Sequence, residues 1–383
     1  MERKITLKTL QLLLSSNLKF LSPNTKFVLT WLSILETIKE TSPNTPADRD
    51  RVDKMNDKFE IKAPAKVFIT GANGFIGRAL ARRYRELGSE VGGIDFKADP
   101  EWGVVAGDLT KPGDWSDALR GTTTVIHCAA LVSNTATMDK AWAVNVKATA
   151  DLITASAAAG VDHFVQLSSV AACGFDFTSR IGEEHPLRPN GNTYVDTKIA
   201  SEHIVLASHA QGLIDCTIVR PGDVYGPGSQ PWVVTPIAMM KAGKFLLPAH
   251  GQGIFSPVYI DDMIEGVVLT TTRKEGRGQI FTIGGGVEVT CKEFFSYHAD
   301  MAGCSAPRTM GPVPARILAA TVGSVTRFFG GQSELGRGTM DMLSRKAGYS
   351  IEKAGRLLGY EPQVDLDECM RRSKEWARGT GLI

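Results

Sequence analysis

Short apolar runs alternate with longer segments of helical spacing along most of the chain. Lys66 to Thr70 (KVFIT) is a β-branched run that stops at a glycine and predicts a buried strand, and Val91 to Asp95 predicts a second. Between them, Phe75 to Leu87 carries apolar residues at helical intervals and also stops at a glycine. This order of strand, helix and strand predicts a parallel sheet with right-handed crossovers.

The alternation continues through the middle of the chain. Thr124 to Cys128 and His163 to Ser168 predict further strands, Ala141 to Ala159 predicts one long Ala-rich helix, and Tyr194 to Ala210 predicts another. Strands without a polar face are typical of parallel sheets that helices cover on both sides. The predicted fold class is therefore α/β, with a Rossmann-type doubly wound parallel sheet.

Composition and charge exclude several classes of protein. Hydrophobic residues make up 43% of the 383 residues and charged residues 22%, which argues against disorder. Lysine and arginine (43) nearly balance aspartate and glutamate (41), so no nucleic-acid partner is expected. The apolar stretches are shorter than the ~20 residues of a membrane span. The six cysteines form no C-x-x-C pair, which argues against a zinc ribbon or disulfide scaffold; we expect no metal and a cytoplasmic location.

The beginning of the chain has a different composition. The first glycine is Gly71, and residues 1–54 contain a single alanine. Such a shift predicts a boundary, with residues 1–62 as a poorly ordered, dispensable extension and linker, and Met55 as an alternative start. A targeting segment and a membrane-surface or partner-binding helix are the alternatives.

A glycine-rich loop follows the first predicted strand, with the sequence Gly71-Ala72-Asn73-Gly74-Phe75-Ile76-Gly77. Glycines let a pyrophosphate approach the bare backbone, where the N-terminus of the next helix offers unpaired N–H groups. Asp95 ends the second strand 18 residues later, where a carboxylate can accept hydrogen bonds from the adenosine ribose and repel the 2′-phosphate of NADP. Loop and carboxylate together predict NAD, although each can also be an ordinary turn.

A tyrosine and a lysine stand four residues apart at the start of the last predicted helix. Tyr194 and Lys198 would share one helix face. A phenol has a reference pKa near 10, and the ammonium together with an oxidised nicotinamide would lower it so that Tyr194 acts as general acid/base. Ser169, at the end of a predicted strand, would hydrogen-bond the reacting oxygen, unless it is a simple turn cap.

In this combination the chain from Lys66 to Leu382 resembles the extended short-chain dehydrogenases/reductases. The resemblance implies that Asp108 and Leu109 flank the adenine, that Ala129 and Ala130 line the cofactor, and that Asn145 supports the site from a helix. It makes Ser169 the catalytic member of the Ser168–Ser169 pair, with Ser168 and Pro221 beside the cofactor. It also implies a Rossmann domain (63–227 with 255–283), a smaller substrate-binding subdomain (228–254 and 284–383), and a homodimer formed through two long helices.

Two departures from the family pattern bear on the substrate. Nucleotide-sugar enzymes usually have Asn at the position of Asp223 and Arg-Asp at the positions of Ser256 and Pro257. An added carboxylate and a missing guanidinium both disfavour a diphosphate. The largely apolar segment from Pro312 to Phe329 resembles the lid of sterol dehydrogenases. An amphipathic helix packed on its own domain is the alternative. The arginines of the segment exclude a membrane span but not surface contact with lipid.

The sequence therefore predicts an NAD-dependent dehydrogenase or ketone reductase. The expected substrate is a hydrophobic secondary alcohol such as a 3β-hydroxysteroid or a sterol-like compound. The first alternative is a nucleotide-sugar 4-epimerase or dehydratase that keeps NAD bound. The second is a non-catalytic NAD(H)-sensing module, which typically lacks the tyrosine–lysine pair found here.

Overall fold

Parallel strands form the centre of the computed structural model, which describes residues 62–111, 113, 115–133, 136–315, 317–318 and 337–383. The strands are β1 (Lys66–Thr70), β2 (Glu90–Asp95), β3 (Val104–Ala106), β4 (Thr124–His127), β5 (His163–Leu167), β6 (Asp215–Pro221), β7 (Asp223–Tyr225), β8 (Leu246–Leu247), β9 (Ile254–Phe255), β10 (Pro257–Tyr259), β11 (Ile280–Ile283), β12 (Val289–Thr290) and β13 (Arg308–Thr309). Seven of them form one sheet in the order β11-β6-β5-β4-β1-β2-β3. The predicted Rossmann-type parallel sheet is confirmed.

Helices connect these strands. They are α1 (Phe75–Glu86), α2 (Met138–Trp142), α3 (Ala148–Ala158), α4 (Thr193–Ala210), α5 (Thr235–Lys241), α6 (Ile260–Thr272), α7 (Cys291–Ala302), α8 (Arg337–Met342), α9 (Glu352–Leu358) and α10 (Leu366–Gly379). Buried residues of α1 and α6, such as Leu80 and Met263, cover one face of the sheet, and Leu152 and Ile153 of α3 cover the other. Both faces are therefore covered, as the apolar strands require.

The predicted long helix from Ala141 to Ala159 is interrupted. Between α2 and α3 lies a π-helical turn, Ala143–Lys147, in which each hydrogen bond spans one more residue than in an α-helix. The pattern of alanines gives no sign of this turn, which coincides with contacts to distant segments. The side chain of Asn145, within the turn, is bonded to the loop after β4 and to α4.

Smaller pairs of strands lie outside the main sheet. β7 pairs with β10, β9 with β12, and β8 with β13. An aromatic cluster packs between them, with Phe255 and Phe294 at a centroid distance of 4.1 Å and Phe295 edge-on to Phe294 at 5.2 Å. The proposed division into a Rossmann domain and a substrate-binding subdomain stays a prediction. The N-terminal extension, apart from Lys62, lies outside the described residues.

Neither disulfides nor membrane-spanning helices occur among the described residues. All six cysteines are free. Across the described ranges, none of the helices combines the length and the apolar character needed to cross a lipid bilayer.

Candidate active site

The glycine loop joins β1 to α1 at the point where the strand order reverses between β1 and β4. Gly71 has a φ of +64°, and a Cβ there would lie 3.1 Å from the backbone of Ala129, which follows β4. A Cβ on Gly77 would lie only 2.2 Å from the carbonyl oxygen of Gly71. Gly74 provides no side chain to cap α1. The helix N-terminus is thus left free to bind an anion such as a pyrophosphate, at the switch point where α/β sheets bind their ligands.

Asp95 lies beside this loop, as predicted. Its Oδ2 accepts a hydrogen bond from the backbone N–H of Asn73 at 2.9 Å, and its Oδ1 accepts from that of Phe96 at 2.7 Å. Asn73 in turn donates through its side chain to the carbonyl oxygen of Lys97 at 2.7 Å. Because each carboxylate oxygen has a second lone pair, Asp95 can still accept from a ribose hydroxyl.

The residues that the resemblance assigned to the adenine follow β3. The Asp108 carboxylate accepts from both the backbone N–H and the hydroxyl of Thr110, at 3.0 and 2.8 Å, and these bonds lower the pKa of Asp108. Leu109 is buried against Ile94 and Trp115 in the core on the α3 side of the sheet. Asp108 therefore orders its own turn, and Leu109 anchors that turn to the core.

A buried chain of hydrogen bonds connects the glycine loop with α4, the helix that carries Tyr194 and Lys198. The hydroxyl of Thr70, which also accepts from the N–H of Ala129 at 3.1 Å, lies 2.7 Å from Nδ1 of His127. Nε2 of His127 lies 3.0 Å from the hydroxyl of Thr149, which donates to the carbonyl oxygen of Asn145 at 2.9 Å. The sequence did not single out His127 and Thr149. Each is a polar residue in an otherwise apolar strand or helix, and this pattern could have indicated a buried hydrogen bond.

Asn145 completes this chain. Its Oδ1 accepts from the N–H of Leu131 at 2.7 Å, and its Nδ2 donates to the hydroxyl of Thr197 in α4 at 3.0 Å. It thereby fixes the loop that begins with Ala129 and Ala130, which are half-buried. Asn145 thus holds both this loop and the helix that carries Tyr194.

Ser169 and Tyr194 border the same cavity, which has a volume of about 130 Å³. Burial raises the pKa of Tyr194 to about 12, and an interaction with the Ser169 side chain opposes that rise. The hydroxyl of Ser169 accepts from the N–H of Ala171 at 3.1 Å. The predicted lowering of the pKa of Tyr194 requires an oxidised nicotinamide together with Lys198; the residues alone leave this pKa raised, because burial outweighs the favourable contacts.

Lys198 lies one turn after Tyr194, with its Nζ 5.8 Å from the centre of the Tyr194 ring. Nζ donates to the carbonyl oxygen of Leu167 at 2.7 Å. Burial lowers the pKa of Lys198 to about 8, while the nearby Cys128 and Glu202 oppose the shift. The amine is thus fixed between β5 and the phenol, with further N–H donors for another partner.

Ser168 does not line the cavity that Ser169 borders. Its side chain contacts a buried ion pair instead. Its hydroxyl donates to Oε1 of Glu202 at 2.5 Å. Arg220 donates to both carboxylate oxygens of Glu202, at 2.9 and 2.7 Å. Glu202 follows Lys198 by four residues, so the pair attaches α4 to β6 one helical turn beyond Lys198. The sequence analysis did not single out Glu202 or Arg220. Pro221 ends β6 next to Arg220 and is buried.

A second ion pair, between Asp223 and Arg345, changes the charge that the sequence indicated at Asp223. Asp223 is not an uncompensated carboxylate, because Arg345 donates to its Oδ2. The N–H of Ser256 donates to the same oxygen at 3.1 Å. Asp223 and Arg345 both line the cavity of Tyr194. A guanidinium is therefore present, supplied from a residue 122 positions further along the chain, which sequence spacing could not show.

The segment predicted to cover the substrate is described only in part. Residues 316 and 319–329 of it lie outside the described residues. Of its beginning, Val313 and Ile317 are largely exposed. Gly338 and Met342, which follow that segment, line the cavity. No cluster of three or more metal-ligating side chains occurs within the described ranges.

Comparison with known proteins agrees with this arrangement. Residues 67–284 match the model of the NAD dependent epimerase/dehydratase family. A 3-beta-hydroxysteroid dehydrogenase of Mycolicibacterium neoaurum is 27% identical over 330 residues, which is 80% of this chain and 89% of the relative. A 2-alkyl-3-oxoalkanoate reductase of Stenotrophomonas maltophilia is 27% identical over 335 residues, covering 81% of this chain and 98% of the relative.

Solved structures share the fold. The structure of MoeE5 in complex with UDP-glucuronic acid and NAD is 26% identical, with a TM-score of 0.67 over 82% of this chain and 99% of MoeE5. The family match covers more than half of the chain, and the glycine loop, Asp95, Tyr194 and Lys198 all lie within it. The protein belongs to the NAD-dependent epimerase/dehydratase family and uses NAD as its cofactor.

Proposed function

We propose that the protein oxidises a hydrophobic secondary alcohol, or reduces the matching ketone, with NAD as hydride carrier. The observation that carries this proposal is that Ser169 and Tyr194 border one cavity, with Lys198 one helical turn after Tyr194. Bound NAD supplies the acceptor for the hydride that leaves the carbinol carbon. The catalytic residues then have one task, which is to move the hydroxyl proton.

Tyr194 takes up that proton during oxidation and returns it during reduction. With a pKa of about 12 the phenol is protonated at neutral pH, which suits its role as the acid of ketone reduction. Oxidation requires the phenolate, which the positive charges of Lys198 and of oxidised nicotinamide favour. Ser169 donates to the reacting oxygen and keeps it in line with the phenol.

The residues around the glycine loop fit NAD. The uncapped N-terminus of α1 would bind the pyrophosphate, and Asp95 and Asp108 would bind the adenosine half. The remaining predicted contacts, at Asn73, Phe75, Ile76, Leu109, Ala129, Ala130, Ser168 and Pro221, stay proposals. Lys198 would donate its remaining N–H groups to the nicotinamide ribose.

The lining of the cavity supports a hydrophobic substrate. Apart from the catalytic pair and the Asp223–Arg345 ion pair, it includes Val170, Phe175 and Met342. A 3β-hydroxysteroid or a sterol-like compound is the substrate we favour. Two relatives, named for a hydroxysteroid and for a 3-oxoalkanoate, act on hydroxyl or oxo groups attached to hydrophobic skeletons, which supports this class.

A nucleotide-sugar 4-epimerase or dehydratase is the second candidate. The similarity to MoeE5, whose structure contains UDP-glucuronic acid, favours it. The neutral Asp223–Arg345 pair argues against it, because it offers no net positive charge to a diphosphate. Arg345 supplies a guanidinium where the sequence indicated none. The charge argument against a diphosphate is therefore weaker than the sequence alone suggested.

A substrate panel separates the two candidates. Purified protein with NAD is supplied in turn with hydroxysteroids, long-chain hydroxy acids, and UDP- or dTDP-sugars, and NADH formation is followed by absorbance. Net NADH from a hydroxysteroid or another hydrophobic alcohol supports our proposal. Conversion of a nucleotide sugar without net NADH, detected by chromatography, would establish the second candidate instead.

We also propose that the protein is a cytoplasmic homodimer. The two long helical segments expected to pair are α2–α3 and α4, and Met138 and Trp142 of the first are 40% and 43% exposed. Exposed large apolar side chains on a helix favour contact with another surface. Light scattering of the purified protein would give twice the 41.3 kDa of one chain for a dimer.

A further inference from the structure

Arg345 is a buried cation at the border of the catalytic cavity. Only 1% of its surface is exposed, and it lines the same cavity as Ser169 and Tyr194. Its Nε donates to the carbonyl oxygen of Ile254 at 3.1 Å, and its Nη2 donates to Asp223. Within the described part of the chain, Nη1 has no hydrogen-bond partner. A buried donor without an acceptor is costly, and a ligand oxygen placed there would remove that cost.

The neighbours of the guanidinium do not provide this acceptor. Tyr349 packs beside it, with the ring centre 5.6 Å from Cζ, and its side chain interacts with the guanidinium and raises the pKa of Arg345, but it accepts no hydrogen bond from Nη1. The hydroxyl of Tyr349 donates to the carbonyl oxygen of Gly174 at 3.3 Å. Asp223 accepts from Nη2 and from the N–H of Ser256. The N–H groups of Nη1 are the remaining unmatched donors of Arg345.

The charge of the surroundings limits what this donor can bind. Asp223 balances the charge of Arg345, so the pair is neutral as a whole. A neutral pair with spare N–H donors suits a single acceptor oxygen, whereas a diphosphate with two negative charges would also meet the carboxylate of Asp223. The cavity of about 130 Å³ is smaller than the roughly 300–1,000 Å³ of sites that enclose a drug-sized ligand. It therefore suits the reacting end of a substrate.

We propose that Nη1 of Arg345 binds an acyl oxygen of the substrate, in a carboxylate or a neutral carbonyl group. Within the class of hydrophobic secondary alcohols, including 3β-hydroxysteroids and sterol-like compounds, those that carry an acyl group near the carbinol carbon are then preferred to those without one. This inference rests on the proposed function, because Ser169 and Tyr194 are assigned there to the reacting oxygen in the same cavity. Arg345 is a specificity-determining residue in this proposal.

The test compares three probes that share an alkyl chain. The rate of NADH formation is measured with 3-hydroxydecanoate, its methyl ester and 2-decanol, in the wild type and in Arg345→Lys. Lysine keeps a cation for Asp223 but lacks Nη1. We expect the ratio of kcat/KM for 3-hydroxydecanoate over that for 2-decanol to fall about tenfold to 100-fold, as for the loss of one charge-assisted hydrogen bond. A larger fall for the acid than for the ester identifies a carboxylate; equal falls identify a neutral carbonyl.

A matched control and a second variant complete the design. Arg180 forms an ion pair with Glu288 at 2.8 Å on the surface, and Arg180→Lys should leave the ratio at its wild-type value. If Arg345→Lys does not fold, as judged by thermal unfolding, the double variant Asp223→Asn/Arg345→Gln removes both charges and should show the same fall.

The outcomes distinguish this inference from the proposed function. An unchanged ratio in a folded variant that still oxidises these alcohols overturns the role of Arg345 and leaves the proposed function standing. A wild-type enzyme that oxidises 2-decanol as efficiently as both acyl probes also overturns it. A wild-type enzyme that forms no NADH from any hydrophobic alcohol overturns both.

Discussion

The carboxylate of Asp95 accepts a hydrogen bond from the backbone N–H of Asn73 at 2.9 Å. The end of β2 thus holds the glycine loop in place from the side. A residue expected only to contact the ribose thus also orders the backbone that we propose binds the pyrophosphate. Substitutions at this position act on both halves of the cofactor site.

Asp95→Ala should weaken NADH binding about tenfold to 100-fold, because it removes charge-assisted hydrogen bonds to the ribose and to the loop. Binding of NADPH should change less, since the repulsion of its 2′-phosphate disappears as well. Fluorescence titration with both coenzymes measures the two affinities. Asp117→Ala serves as the control, because Asp117 is fully exposed in a surface pair with Arg120. An unchanged preference for NADH would show that the ribose is recognised elsewhere.

Gly77→Ala should abolish coenzyme binding, because the added Cβ would lie 2.2 Å from the carbonyl oxygen of Gly71 and 2.9 Å from the Cα of Ala72. The loop can accept that methyl group only by moving away from α1. Gly379→Ala is the matched control, since a Cβ at Gly379 meets no atom within 4 Å. Calorimetry with NADH and thermal unfolding of both variants separate loss of binding from loss of folding. Normal NADH affinity in Gly77→Ala would contradict the close packing of loop and helix.

Tyr194→Phe should reduce turnover by about 10²- to 10⁴-fold, the usual contribution of a general acid/base. Coenzyme affinity should stay near the wild-type value, because the aromatic ring remains and only the hydroxyl at the cavity is lost. Steady-state NADH formation and fluorescence titration measure the two effects. Tyr297→Phe removes an exposed hydroxyl paired with Asp367 and should leave turnover unchanged. If Tyr194→Phe remains active, another group moves the proton.

Lys198 makes the stability of the fold depend on pH in alkaline solution. Burial lowers its pKa from 10.5 to about 8, so between these values the unfolded chain binds a proton that the folded chain has released. The free energy of unfolding therefore rises with pH in that interval. Relative to Lys198→Met, the wild type should gain up to about 1.4 kcal/mol per pH unit.

Urea unfolding of both proteins, at one pH below 8 and one near 10.5, measures this difference. Lys292→Met, which removes an exposed lysine of α7, should keep the pH dependence of the wild type. A difference between wild type and Lys198→Met that stays constant with pH would mean that the buried amine keeps its ordinary pKa.

A chain that begins at Met55 should fold and turn over like the full chain. The described residues belong to a compact unit that starts at Lys62, and none of the site residues precedes Thr70. Circular dichroism melting and NADH formation by both proteins test this expectation. Loss of folding in the shorter chain would assign a structural role to residues 1–54.

Local patterns predicted the fold well because a parallel sheet gives each strand a continuous apolar run. β1 begins and ends at the predicted residues, and β5 ends one residue earlier than predicted. The glycine loop and Asp95 were also local features, since the spacing within one strand-helix-strand unit places them together. The tyrosine and the lysine four residues apart needed only the periodicity of one helix.

What the sequence could not show depends on contacts between distant segments. The π-helical turn at Ala143–Lys147 contains Asn145, whose side chain is bonded to Leu131 and Thr197 in distant segments. The pairing of Asp223 with Arg345 joins residues that no spacing rule relates. The pKa of Tyr194 depends on burial, which a motif does not report.

The π-helical turn also restricts how this scaffold can be redesigned. A π-turn contains one residue more than an α-helical turn needs, so deleting a single residue there would give a regular helix with no loss of backbone hydrogen bonding. The same deletion would rotate Asn145 by about 100° around the helix axis, away from Leu131 and Thr197. Shortening or idealising this helix, a common route to a more stable protein, would be expected to separate the coenzyme loop from the reactive tyrosine.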